Sequence, residues 1–177
     1  RQTDLVLEAA KGRQDLVKGE KPWQSDLESI VASARKHKEE FEQQKARESK
    51  LTALIAEGEK DLLEFKEGVA KLAAYLKEVA DAPSAFTDKV KAAIGTLREK
   101  GIRGNLAEAR KQAQESKPKY QAILDALGKL REQAEDLPGL MKEVDAEIQK
   151  IKTAVDDGAA AAFKRLSDEV YSLLDDK

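Results

Sequence analysis

Apolar residues recur along this chain at alternating steps of three and four, a spacing that gathers them on one face of an α-helix. The longest such run reads Leu27, Ile30, Ala34, His37, Phe41, Gln44, Glu48, Leu51, Ile55, Gly58, Leu62, Phe65, Val69, Leu72, Leu76 and Val79, with no slip of register. A seam of that length predicts one uninterrupted helix over residues 26–80, about 80 Å long at 1.5 Å per residue. Its middle is unusual. His37, Gln44 and Glu48 occupy seam positions that would otherwise be apolar, which marks them as the candidate partner-contact region. The alternative for this stretch is ordinary helix surface, beyond the end of whatever packs on the rest.

A second frame runs Leu106, Ala109, Ala113, Ser116, Tyr120, Ile123, Leu127, Leu130, Ala134 and Leu137, and continues in step through Met141, Val144, Ile148, Ile151 and Val155. Pro138-Gly139 interrupts it. Continuity of the frame favours a kinked through-helix, but a Pro-Gly pair is a strong breaker, and a turn between helices over 106–136 and 140–175 is the preferred reading. Pro118 predicts a kink or restart without reversal of the chain. Past Val155 the seam takes an extra four-residue step through Ala159 to Phe163, a stutter beside Asp156-Asp157-Gly158.

Shorter elements surround these runs. Residues 4–18 read as a short amphipathic helix capped by Thr3 and ended by Gly19-Glu20-Lys21-Pro22. Ser25 and Glu28 have capping-box spacing, and Trp23 is placed to fold back over that helix start. Asp81-Ala82-Pro83-Ser84 predicts a break, followed by a helix over 84–100 capped by Ser84 or Thr87. Gly101 and Gly104 predict a bend, with Asn105 capping the helix after it. The fold class that results is all-α: one elongated three-helix bundle domain over residues 1–177, its coiled-coil-like rods spanning 26–80, 84–136 and 140–175. A long two-helix hairpin is the alternative if Pro138 only kinks its helix.

Composition narrows the function classes. Charged residues make up 37% and aromatic residues 5% of the 177, which suits long helices with thin seams. The 32 basic and 34 acidic residues give a net charge of -2 and are interspersed, so no basic stripe points to nucleic acid. Arg35-Lys36-His37-Lys38 is followed at once by Glu39 and Glu40. Cysteine is absent, which removes disulfides, thiolate nucleophiles and zinc-thiolate sites. His37 is the single histidine, too few for a di-metal bundle site or for serine hydrolysis, and Gly101-Ile102-Arg103-Gly104 fits no phosphate-binding loop. No catalytic residue, cofactor or metal is therefore assigned.

The Ala- and Glu-rich, Lys-balanced helical composition, with stretches such as Leu51-Thr52-Ala53-Leu54-Ile55-Ala56-Glu57 and Gly158-Ala159-Ala160-Ala161-Ala162, resembles the glutamate/alanine-rich surface coat proteins of insect-stage trypanosomes. That resemblance implies a glycoprotein ectodomain on the outer face of a cell, held to the membrane only through a C-terminal lipid anchor that is not among the 177 residues. It also implies partners among host or vector surface molecules. The lack of cysteine departs from the disulfide-bearing relatives of that fold. The expected function is thus a non-enzymatic, monomeric coat or adhesion protein. The alternatives are an intracellular coiled-coil adaptor and an amphipathic-helix lipid carrier.

Overall fold

A computed structural model describes residues 2–13 and 21–175. The protein is all-helical, in the order α1 (Gln2–Arg13), α2 (Lys21–Gly58), α3 (Phe65–Glu78), α4 (Ser84–Ala113), α5 (Tyr120–Gln133) and α6 (Pro138–Asp175), with no strand among the described residues. The chain divides into two compact units, Arg1–Leu54 and Ile55–Lys177.

In the first unit, α1 is tied to α2 by the Lys38 ammonium, which donates to the Asp4 carboxylate at 2.5 Å. Ala10, Ala34 and Leu51 are its buried apolar side chains among the described residues. Helix α1 begins at Gln2, so Thr3 lies inside the helix instead of capping it. The expected continuation of this helix to Lys18, and Gly19 and Glu20 of its stop signal, lie outside the described residues. Helix α2 is already under way at Lys21. Ser25 therefore does not cap it, and Trp23, expected to fold over a helix start, is 65% exposed.

The continuous helix expected over 26–80 does not form, because α2 stops at Gly58 and α3 starts at Phe65. Asp61 holds the turn between them. Its carboxylate accepts the backbone N–H groups of Leu63 at 3.1 Å and Glu64 at 3.3 Å, a local side-chain-to-backbone turn ahead of α3, whose own start has no side-chain cap. The chain then doubles back. Lys71 donates to Glu57 at 2.6 Å, whereas a straight helix would hold residues that far apart in sequence about 20 Å from each other. Gly58 and Gly68 make the close crossing: a Cβ on Gly68 would lie 2.8 Å from the Gly58 Cα. The seam positions survive the reversal, with Phe65, Leu72 and Val79 all buried.

Helix α3 ends before Ala82-Pro83, and the Pro83 carbonyl accepts the N–H groups of Phe86 and Thr87 as α4 begins. No side chain caps this start, so neither Ser84 nor Thr87 has the role expected of it. Tyr75 and Phe86 meet edge to face across the turn, ring centres 6.4 Å apart. The bend expected at Gly101 and Gly104 is likewise absent, since α4 runs straight through both. Gly101 instead makes room for a ring: a Cβ there would lie 2.1 Å from Cγ of Phe65. Asn105, expected to cap a helix, sits in mid-helix and donates its amide to the carbonyls of Leu62 and Leu63, each at 3.3 Å, and of Gly101 at 3.0 Å. It clamps the turn that Asp61 holds.

The helix expected over 106–136 is two helices, and the chain reverses between them. Proline has no N–H to donate and disfavours helical geometry at the residue before it, so the Lys117-Pro118 step separates Ala113 from Tyr120. Arg98, midway along α4, consequently reaches the far end of α5, donating to the Gln133 carbonyl and, at 2.6 Å, to Asp136. At Leu137-Pro138-Gly139 the chain turns again, with Pro138 as the first residue of α6, where a missing N–H costs nothing. Arg131 donates to Asp145 across that turn at 2.6 Å. Helices α4, α5 and α6 close on one core containing Ile102, Leu106, Ile123, Leu127, Leu130, Val144 and Ile151, capped by Phe65. Burial then stops: α6 continues to Asp175, but residues 152–168 contain no buried side chain.

Candidate functional site

Large apolar side chains left in water are the most informative surface feature here, because a protein that has finished burying itself seldom leaves them aligned. On α2, Trp23, Ile30 and Phe41 are 65%, 52% and 64% exposed. Their separations of 7 and 11 residues are near whole numbers of helical turns, so they fall on one stripe. His37, Gln44 and Glu48 lie on the same stripe and are exposed. These three residues therefore do not face the interior of a bundle; they share an outward line with Phe41 in their midst. Lys38 pairs with Asp4 of α1, so α1 lies alongside this part of α2 and still leaves Ile30 and His37 exposed.

The polar groups of the second unit are arranged for structure. Glu147 is the buried charged side chain of the described residues, and Arg110 donates to it at 2.9 Å with the Lys150 ammonium 3.8 Å away. A hollow of about 100 Å³ beside this pair is lined by Tyr120, Gln114 and Ala154. Glu57, Asp61, Glu64 and Glu67 line another of about 200 Å³, where the Lys71 ammonium holds the Glu57 carboxyl below the usual carboxylate range. Among the described residues, no group of three or more His, Asp or Glu side chains is placed to hold a metal ion. A further hollow of about 260 Å³ lies between Phe65, Asn105 and Leu127.

No family model, curated protein or solved structure matches this chain. The reading of function thus rests on the surface itself. No helix among the described residues is long and apolar enough to cross a membrane. What the α2 stripe can do chemically is bind: two aromatic rings and an isoleucine supply area, while an imidazole, an amide and a carboxylate supply hydrogen-bonding specificity along the same line.

Proposed function

We propose that the protein is a helical interaction module that performs no chemistry of its own and recruits a protein partner along the exposed stripe of α2. The alignment of Trp23, Ile30 and Phe41 in solvent carries this reading. A partner helix laid on the stripe would bury the three apolar side chains, and His37, Gln44 and Glu48 would fix its register, as polar seam residues do in coiled coils. An adaptor is the class of protein that keeps such a seam open.

Photo-crosslinking in the native cell tests the proposal. A photoreactive residue at Phe41 should yield a discrete adduct with one protein, and the same residue at the exposed Lys111 of α4 should not. Equal labelling from both positions, or none from Phe41, overturns it. The coat or adhesion role suggested by the alanine- and glutamate-rich stretches would use the same stripe on the outer face of a cell. A membrane-impermeant amine reagent should then label the protein on intact cells, and protection until lysis would reject that placement.

A further inference from the structure

Helices α3 and α5 both pack on α4, while their own backbones stay apart. Between them lies the hollow of about 260 Å³ beside Phe65, Asn105 and Leu127. The buried side chains of Phe65, Ala109, Leu127 and Leu130 form its floor, and the exposed Leu63 and Ala126 carry the apolar lining out to its mouth. Leu63 is 52% exposed, a large apolar side chain left in water at the edge of an apolar space.

Charge at this mouth is unequal. Lys66 stands on the α3 wall and Lys129 on the α5 wall, both exposed, against the single carboxylate of Glu64. Further along α3, Lys71 is paired with Glu57, and in α5 Arg131 is paired with Asp145. Lys66 and Lys129 have no such partner among the described residues. Asn105 already donates its amide N–H groups to the carbonyls of Leu62, Leu63 and Gly101, which leaves the two ammonium groups and the Gln133 amide as donors for an anion.

From this lining we infer that the hollow binds a small organic acid, an alkyl or aryl carboxylate whose body rests on Phe65, Leu127 and Leu130 and whose carboxylate lies between Lys66 and Lys129. The two halves of such a ligand do different work. Its body leaves water for an apolar floor, which supplies most of the affinity. Its head meets two exposed ammonium groups, and because ion pairs in water are weak they select the sign of the charge more than they add strength. A cationic amphiphile would set its own charge beside both lysines, with Glu64 alone to offset them. The site lies wholly within the second unit and is separate from the α2 stripe.

Amide NMR of the full chain, titrated separately with octanoate, octylamine and acetate, tests the assignment. Octanoate should bind saturably, with a dissociation constant of about 1 mM or tighter and the largest shifts at residues 63–66 and 126–133. Octylamine has the same chain with the opposite charge, and acetate has the head without the chain; each should bind at least about fivefold more weakly. Replacing both Lys66 and Lys129 by Gln should weaken octanoate by about fivefold, as the loss of two exposed ion pairs does. The same change at Lys142 and Lys152, exposed on α6, should leave it unaltered. All four lysines are exposed, so the fold stays intact, as circular dichroism would verify. Octylamine binding as tightly as octanoate, an unchanged constant in the Lys66 and Lys129 variant, or shifts scattered along the helices without saturation overturns the inference.

Discussion

Gly101 shows how a single residue reads differently once its surroundings are known. A Cβ there would sit 2.1 Å from Cγ of Phe65, well inside van der Waals contact, whereas one at Gly95 in the same helix meets nothing within 4 Å. Gly101→Ala should therefore destabilise the protein by about 1 to 3 kcal/mol through forced repacking. Gly95→Ala should stabilise it by about 0.5 to 1 kcal/mol through helix propensity. Thermal melts of the two variants should shift in opposite directions. Asp136 supplies a titration at the same scale. The hydrogen bond from Arg98 and the charge of its guanidinium hold the Asp136 carboxyl below its ordinary range. A lowered folded-state value means the pair stabilises the protein at neutral pH and loses that effect as pH falls below the ordinary aspartate range. Asp136→Asn should flatten the acid side of the stability profile, and the difference from wild type at pH 7 should shrink in high salt because the pair is exposed.

At the scale of elements, the turn between α2 and α3 has two fastenings, the Asp61 carboxylate on the backbone N–H groups and the Asn105 amide on the carbonyls. One works locally, and the other reaches across more than 40 residues of sequence. Asp61→Ala should cost about 1 kcal/mol, as loss of a side-chain hydrogen bond to a turn does, and Asn105→Ala a similar amount. Because both act on the same few residues, the double variant should lose less or more than the sum, and a double-mutant cycle by chemical denaturation measures that coupling. Hydrogen exchange should speed up at residues 63–66 in each variant and stay unchanged in α5. Values that add with no local change in exchange would show that the turn forms without either.

The two units of the whole molecule differ in how much they bury. Leu72, Leu97, Ile102, Leu106, Ile123, Leu127, Val90 and Val144 are fully buried side chains, and every one belongs to Ile55–Lys177. Among its described residues the first unit buries two alanines and a leucine. Opening free energy follows buried apolar area, so the amides of residues 23–50 should exchange well before those of α4. Leu72→Ala should cost about 2 to 5 kcal/mol and lower the melting of the second unit without accelerating exchange in α1. Uniform protection from α1 to α6 would contradict this division.

The all-helical class and many of the buried positions were legible in the sequence, since a three-and-four spacing marks one face of a helix, although Tyr75, Ile102 and Leu140 are buried off both frames and Ile30 and Phe41 are exposed on one. Phe65, Leu72, Val79, Leu106, Ile123, Leu127, Leu130 and Val144 were all marked by the two frames and all are buried. Chain direction was not legible. A frame that continues in step through Gly58 to Phe65, and through Ala113 to Tyr120, looks the same whether the helix goes on or doubles back. At Asp61 and Pro118 local backbone chemistry decided for reversal, helped by Asn105 and Arg98 from distant parts of α4. Which seams remain open was also settled only by the fold. His37, Gln44 and Glu48 stood out as polar interruptions, but whether their stripe faces a core or water depends on which part of α2 its neighbours cover, and tertiary structure alone fixes that.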